Sequence, residues 1–419
     1  MSLKKVVITG LGIVSPFGLG IETLMRNLYS GSSAVCSQKE VWNKNIKDLN
    51  CWIGAPLKEE LPIMEIPRKL RRTMGRSSLM SYIAVKEALA SAQMPEDCFT
   101  SGRTGVSFSS TTGSVSSISD FFNEYVSHAS LKNVSSGSFF QIMSHSCAAN
   151  IAHAFNIKGR VMSPDSACSS SAQAMGLAFE SVKYGMQDIM ICGGADELDA
   201  VVCGTFDLLN ATSSRFNDSP ASSPRPFDRD RDGTVCGEGA GCIIMESEKS
   251  ALSRNAPILA EVVGFHTSSD GTHIAQPHSE SIASCIKGAL NSSGILTSQI
   301  GYINAHATGT PLGDKAEAAA IAEVLGGKTP VSSLKGHLGH TLGASGAIEL
   351  AATIRMINDR KLIPTKNLSI PDVNCANIMH VKTDDYHKNV EYYIKNSFAF
   401  GGINAVLILR RHENSNESR

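Results

Sequence analysis

Asp165-Ser166-Ala167-Cys168-Ser169-Ser170-Ser171 opens a run in which Ala172, Ala174, Met175, Ala178 and Val182 recur at roughly 3.6-residue spacing. Ile189-Met190-Ile191-Cys192-Gly193-Gly194 follows. The first pattern predicts a buried helix that starts at or just after Cys168, and the second a buried strand running into glycine. The same alternation appears elsewhere. Residues 4–14, with Val6-Val7-Ile8-Thr9-Gly10, read as a first buried strand. Residues 77–93 carry Met80, Ile83, Ala84, Ala88 and Leu89 at helical spacing, and Gly105-Val106-Ser107-Phe108 suggests a short strand. Strand, turn, helix and strand in succession argue for α/β layers on a parallel or mixed sheet.

Composition narrows the function classes. The chain has 419 residues, too many for one small domain, and suits a large two-lobed unit or two domains. With 42% hydrophobic and 18% charged residues it can bury a large core. A formal net charge of −1 argues against a chain-wide nucleic-acid surface. The 11 cysteines are odd in number and none stand at Cys-x-x-Cys spacing, which fits a reducing cytoplasm better than a disulfide frame or zinc site. No apolar run reaches the roughly 18–20 residues of a membrane span. The apolar stretch after Lys4-Lys5 is short and reads as a strand, not a signal peptide. The expected location is cytoplasmic.

Residues 214–232 are polar and rich in Pro, Arg and Asp, and read as a long surface connection; long ordered loops are often functional. Gly237-Glu238-Gly239-Ala240-Gly241 leads into a strand at 242–245. A second half begins near Pro257, with strands at 259–263, 301–303 and 405–409 and helices at 280–293, 315–325 and 344–357. The division expected is residues 1–255, 256–412 and a polar tail, 413–419.

Cys168 is the first candidate for chemistry. A thiolate is the nucleophile, and a helix N-terminus lowers a thiol pKa. The other ten cysteines read as small buried hydrophobes. His306, in Asn304-Ala305-His306-Ala307-Thr308-Gly309-Thr310, follows a predicted strand, where α/β folds place site residues. His340, in Lys335-Gly336-His337-Leu338-Gly339-His340, precedes a helix of small residues. Lys335 and Glu349 near a neutral His340 can fix its tautomer. Asn396-Ser397-Phe398-Ala399-Phe400-Gly401-Gly402-Ile403-Asn404 sets a ring beside two glycines, which permit exposed N–H groups and hinge motion.

Together these segments resemble the β-ketoacyl-acyl-carrier-protein synthases, specifically the type II elongating condensing enzymes. The likeness runs from Val6-Val7-Ile8-Thr9-Gly10-Leu11-Gly12 to the block ending at Asn404. It passes through Ala167-Cys168-Ser169-Ser170, Cys192-Gly193-Gly194-Ala195-Asp196, Arg225-Pro226-Phe227-Asp228, Gly237-Glu238-Gly239-Ala240-Gly241, Asn304-Ala305-His306, Gly313-Asp314 and Gly339-His340 in family order. The resemblance implies a thiolase-like five-layer αβαβα fold made of two similar halves, usually dimeric. It implies an acyltransferase in which Cys168 accepts an acyl group from the phosphopantetheine arm of an acyl carrier protein. His306 and His340 would promote decarboxylation of malonyl-carrier protein and stabilise the enolate. Lys335 and Glu349 would support the site, and the N–H groups of Cys168 and Phe400 would form an oxyanion hole. Phe400 matches a gate residue, Thr308 and Thr310 match positions touching the pantetheine arm, and residues 109–113 match the pocket floor. Lys69 and Arg72, within Pro67-Arg68-Lys69-Leu70-Arg71-Arg72, match a docking patch for an acidic carrier protein. No metal or diffusible cofactor is implied; phosphopantetheine arrives on the partner.

The Cys-His-His pattern separates this chain from initiating synthases with Cys-His-Asn, from thiolases and from cysteine-less chain-length factors. Some residues depart from the primary-metabolism pattern. Ser166 stands where Thr is common, Ala307 and Ala399 stand where Gly is common, and Pro164 lies where an apolar strand is expected. Ala399 is expected to stiffen the gate. His337 reads as a surface histidine, with a third site group as the alternative. These departures, with Asp188 to Leu198 and Phe206-Asp207, tilt the expected role toward a type II polyketide or polyene ketosynthase paired with a chain-length factor. The alternatives are a homodimeric synthase II of fatty-acid elongation and a non-catalytic partner.

Overall fold

The computed structural model describes residues 3–381 and 389–412. The expected polar tail, 413–419, lies outside the described residues. The strands are β1 (Val6–Ser15), β2 (Thr104–Ser109), β3 (Val161–Met162), β4 (Ile189–Asp196), β5 (Gly239–Ser247), β6 (Ala260–Ser269), β7 (Ile300–Asn304), β8 (Pro330–Ser332), β9 (Met379–His380), β10 (Tyr392–Ala399) and β11 (Ile403–Arg411). The helices that matter most are α1 (Arg76–Ser91), α2 (Ser146–Ala154), α3 (Ser170–Lys183), α4 (Ser279–Ser293), α5 (Pro311–Leu325) and α6 (Ser345–Asn358). Among the described residues no helix is long and apolar enough to cross a membrane.

The strands lie side by side as β1-β5-β4-β2-β3 in one half and β6-β11-β10-β7-β8 in the other, with β9 added at the second edge. Both halves therefore use the order first, fifth, fourth, second, third. Strand directions match as well: β2 runs parallel to β3 and β4, as β7 does to β8 and β10, while β5 and β11 are antiparallel to their neighbours. The two sheets join at one edge, where Val6 of β1 lies opposite Val262 of β6.

Helices α3 and α6 pack on strands of both sheets and on each other, so they form a middle layer. Helices α1 and α2 cover the outer face of the first sheet, and α4, with α5 beside it, covers the second. The core divides accordingly. One apolar cluster, including Met175, Ile243, Ile348 and Leu407, fills the space between the sheets, and separate clusters lie under α1 and α4. Three helical layers around two sheets give the thiolase-like five-layer fold.

Close approach explains two sequence features. A Cβ on Gly12 would stand 1.8 Å from the Ala84 carbonyl oxygen of α1, so only glycine lets that helix lie on β1. A Cβ on Gly346 would stand 2.8 Å from Ser171 Oγ and 3.0 Å from the Ala172 nitrogen, which is why both middle helices begin with small residues. The halves share a further device. A short 3-10 turn precedes each middle helix, Ala167–Ser169 before α3 and Leu342–Ala344 before α6. Each contains a non-glycine residue in the left-handed region, Ala167 at φ 48° and Leu342 at φ 50°. Cys168 follows the first and Gly343 the second.

Two expectations are corrected. Pro164 interrupts no central strand, because β3 is an edge strand that ends at Met162. Residues 214–232 are not simply a surface connection: Ser223, Phe227, Asp228 and Arg231 are buried.

Gly12→Ala is expected to lower the unfolding free energy by about 1–3 kcal/mol through overpacking at the β1–α1 contact. Urea unfolding with an unchanged midpoint would contradict this packing.

Candidate active site

The serines around Cys168 build the turn that presents it. Ser170 Oγ accepts from the Ser166 N–H at 2.9 Å and donates to the Ala167 carbonyl at 2.7 Å. Ser169 Oγ donates to the Ser166 carbonyl at 2.9 Å, and Ser171 Oγ accepts from the Ala347 N–H of α6 at 3.1 Å. Thr111 Oγ1 donates to the Ala167 carbonyl at 3.1 Å. Behind the turn, buried Asp196 accepts from Ser110 Oγ at 2.7 Å, the Thr111 N–H at 3.0 Å and the Gly343 N–H at 2.6 Å. One carboxylate thus ties together the ends of β2 and β4 and the turn before α6.

Cys168 is 5% exposed, at the start of α3 as expected. Its thiol is not lowered as the helix-terminus argument predicts. Burial pushes it up to about 12, with the Lys335 charge the largest opposing influence. That favours a protonated thiol as the resting group. The backbone N–H groups of Cys168 and Phe400 are near enough to its sulfur to favour the thiolate slightly. They come from the start of α3 and from the turn between β10 and β11.

His306 follows β7, and Lys335 and His340 follow β8, so the second half supplies its groups from the carboxyl ends of parallel strands. The His306 and His340 rings lie 5.4 Å apart between centroids at 85°, edge to face. His306 Nδ1 and both ring nitrogens of His340 are buried without a hydrogen-bond partner among the described residues. Burial, then the Lys335 charge, brings His340 down to about 3 and holds His306 well below the ordinary imidazole range. Both rings are neutral at physiological pH and can each offer an N–H to a developing anion.

Lys335 and Glu349 are buried and pair at 2.6 Å. Ser345 Oγ donates to the same Glu349 oxygen at 2.6 Å. A second lysine, Lys395 on β10, reaches the other Glu349 oxygen at 2.8 Å. Burial alone would raise Glu349, but Lys335 and Lys395 outweigh it and bring its carboxyl down to about 2.

Cys168, His306, His340, Thr308, Thr310 and Phe400 line a cavity of about 350 Å³. Thr308 and Thr310 stand at 3.1 Å between hydroxyl oxygens, and the Phe400 ring rests 5.7 Å from that of Phe206. Lys335 and Glu349 lie behind the cavity, outside its lining. Gly401 and Gly402 take φ values of 86° and 68°, and the Gly401 N–H donates to the Ile274 carbonyl. Ala399 sits opposite Ile403 in the ladder, where its side chain needs no glycine conformation. Lys69 and Arg72 are exposed on the helix Arg68–Arg71 and its cap, away from the cavity lining. Residues 109–113 are absent from that lining too; they serve Asp196 and the Ala167 turn.

His337 is neither a surface nor a cavity residue. It is 1% exposed, its ring nitrogens 3.0 Å from the Ser32 carbonyl and 3.2 Å from the Pro364 carbonyl, and it clamps two loops. The segment 214–232 braces the His306 loop: Arg231 lies 3.8 Å from Asp314 and 3.0 Å from Asp372, and Asp314 accepts from the Phe227 and Gly309 N–H groups. Two residues escape the sequence reading. Buried Glu317 accepts from the His306 and Ala307 N–H groups at 2.9 and 2.7 Å, but on an alanine-rich helix it looks like one more solvated charge. Lys395 did leave a signal, a lysine directly after Tyr392-Tyr393-Ile394, residue types that favour a strand.

The chain matches the family models described as beta-ketoacyl synthase, N-terminal domain, over residues 3–251, and beta-ketoacyl synthase, C-terminal domain, over 259–369. It is 33% identical over 411 residues to 3-oxoacyl-[acyl-carrier-protein] synthase 1 of Haemophilus influenzae, covering 98% of this chain and 100% of that one. A solved beta-ketoacyl synthase from Burkholderia phymatum STM815 superposes with a TM-score of 0.94 at 40% identity, over 98% of this chain and 100% of that one. The ishigamide ketosynthase/chain length factor superposes with a TM-score of 0.90 at 28% identity, over 98% and 100%.

Glu349→Gln is expected to cost about 3–5 kcal/mol, because it leaves two buried ammonium groups without their carboxylate. Glu349 sits below its ordinary value of 4.5, so its stabilisation is complete above pH 4.5 and is lost as pH falls toward 2. Denaturant unfolding across that range should show the loss in the wild type and a smaller slope in the variant.

Proposed function

The chain belongs to the beta-ketoacyl synthase family, and we propose that it joins a malonyl unit on an acyl carrier protein to an acyl chain held on Cys168. As a β-ketoacyl-acyl-carrier-protein synthase it is a condensing acyltransferase. The observation that carries the mechanism is one cavity shared by Cys168, two neutral imidazoles and Phe400.

In the first half-reaction Cys168 attacks the acyl thioester carbonyl. The carbon–sulfur bond to the pantetheine thiol breaks, and that thiol leaves with the proton Cys168 gives up. The N–H groups of Cys168 and Phe400 stabilise the tetrahedral oxyanion, a contribution of about 3–4 kcal/mol per donor. Malonyl-carrier protein then enters along Thr308 and Thr310. Loss of carbon dioxide leaves its electron pair in an enolate, whose oxygen accepts from His306 and His340. The enolate carbon attacks the acyl-Cys168 carbonyl, a carbon–carbon bond forms, and the sulfur leaves as a thiolate that takes up one proton from water. The carbon skeleton and electrons balance without a redox partner or metal; phosphopantetheine is part of the substrate. Lys69 and Arg72 are proposed to meet the acidic carrier protein.

The pathway reading is a type II polyketide or polyene system, with a chain-length factor as the second subunit. It is supported by Ser166, Ala307 and Ala399 at family positions and by likeness to the ishigamide ketosynthase/chain length factor. The second reading, a homodimeric elongation synthase, is favoured by the 33% identity to 3-oxoacyl-[acyl-carrier-protein] synthase 1.

Intact-protein mass spectrometry tests the chemistry. Wild type mixed with acyl-carrier protein should gain one acyl group that malonyl-carrier protein discharges, and Cys168→Ala should gain none. Acylation of the Ala variant at the wild-type level would overturn the role of Cys168. Turnover by the purified chain alone supports the homodimer; turnover only after co-expression with a chain-length factor supports the polyketide reading.

A further inference from the structure

Lys395 lies on β10 with no exposure to solvent, and sequence reading gave it no role. Its Nζ donates to Glu349 Oε2 at 2.8 Å and to the Asn396 carbonyl at 2.6 Å. The amide of Asn396 donates to Glu317 Oε1 at 2.9 Å, and that same oxygen accepts the His306 N–H at 2.9 Å. The other Glu349 oxygen holds Lys335 at 2.6 Å, just upstream of His340. An unbroken chain of contacts thus runs from Lys335 through Glu349, Lys395, Asn396 and Glu317 to the backbone of His306. A buried ammonium is costly unless something requires it. Lys335 alone would neutralise Glu349. The second lysine adds a positive charge within reach of the second buried carboxylate, Glu317.

We propose that Lys395 is a positioning residue for condensation, joining the Lys335–Glu349 pair to the His306 loop in one charge-balanced network so that both imidazoles face the cavity as N–H donors. This role rests on the condensation reading above. Electrostatics act in the same direction. After burial and Lys335, the Lys395 charge is among the influences that hold His306 and His340 low. The groups around it are Lys335, Glu349 and Glu317, with Tyr302, whose hydroxyl pairs with Ser332 Oγ at 2.7 Å, beyond Glu349. Lys395 itself is brought down to about 8, by burial first. Its removal therefore raises both imidazole pKa values, and the acid limb of condensation moves to higher pH.

The test compares wild type, Lys395→Met and Lys395→Gln; the Gln variant keeps an N–H for Glu349 and loses the charge. Cys168 acylation is read by intact mass, and condensation with malonyl-carrier protein by rate across pH. The expected result is acylation at the wild-type rate, condensation kcat at least tenfold lower with KM for malonyl-carrier protein unchanged, and an acid limb displaced to higher pH. Wild-type kcat and pH profile in either folded variant would overturn the proposal. So would acylation and condensation falling together, or loss of folding in both variants, which would make Lys395 a structural residue only. A wild type that is acylated but never condenses would instead overturn the functional reading, and this role with it.

Discussion

The crossing of α3 and α6 between the two sheets is the constraint on which the molecule depends. Gly346 and Ser171 bring the helices to backbone distance, and the Ser171 hydroxyl accepts from the Ala347 N–H at that point. Both helices start there, so the turns that precede them lie against each other. The turn before α3 carries Cys168; the turn before α6 carries Gly343 in the matching place, and its N–H is spent on Asp196. Two similar halves thus share one architecture while only one presents a thiol at this turn. A larger residue at the crossing would separate the sheets and, with them, the thiol from the histidines.

The electrostatics of the site follow from its burial. Desolvation raises Cys168 and lowers His306 and His340, so the resting groups are neutral and the charge lies behind them in the Lys335–Glu349–Lys395 cluster. That arrangement suits a reaction whose negative charge is transient. Neutral N–H donors and backbone amides can meet an anion as it forms without placing a permanent cation in the cavity. Buried carboxylates serve as scaffolding throughout. Asp196 holds the turn before α6 and the end of β2, Glu317 the His306 backbone, and Asp314 the loop after it, each by accepting backbone N–H groups.

Local pattern determined much of this. The small-residue period after Cys168 announced α3, because a helix wedged between two sheets must be apolar all round and narrow. The run through Gly193 and Gly194 announced β4, and the Gly-rich settings of His306, His340 and Phe400 announced loops at strand ends. Cys168, His306 and His340 stood out by residue type and setting, and Lys335 and Glu349 joined them through the resemblance of their blocks to one family. Tertiary structure alone decided the rest, because burial is a property of what packs on a residue and not of its neighbours in the chain. It turned a helix-start thiol expected to be acidic into a protonated one, moved His337 from surface to core, drew residues 214–232 inward to brace the His306 loop, and brought Lys395, 46 positions from Glu349, onto the same carboxylate.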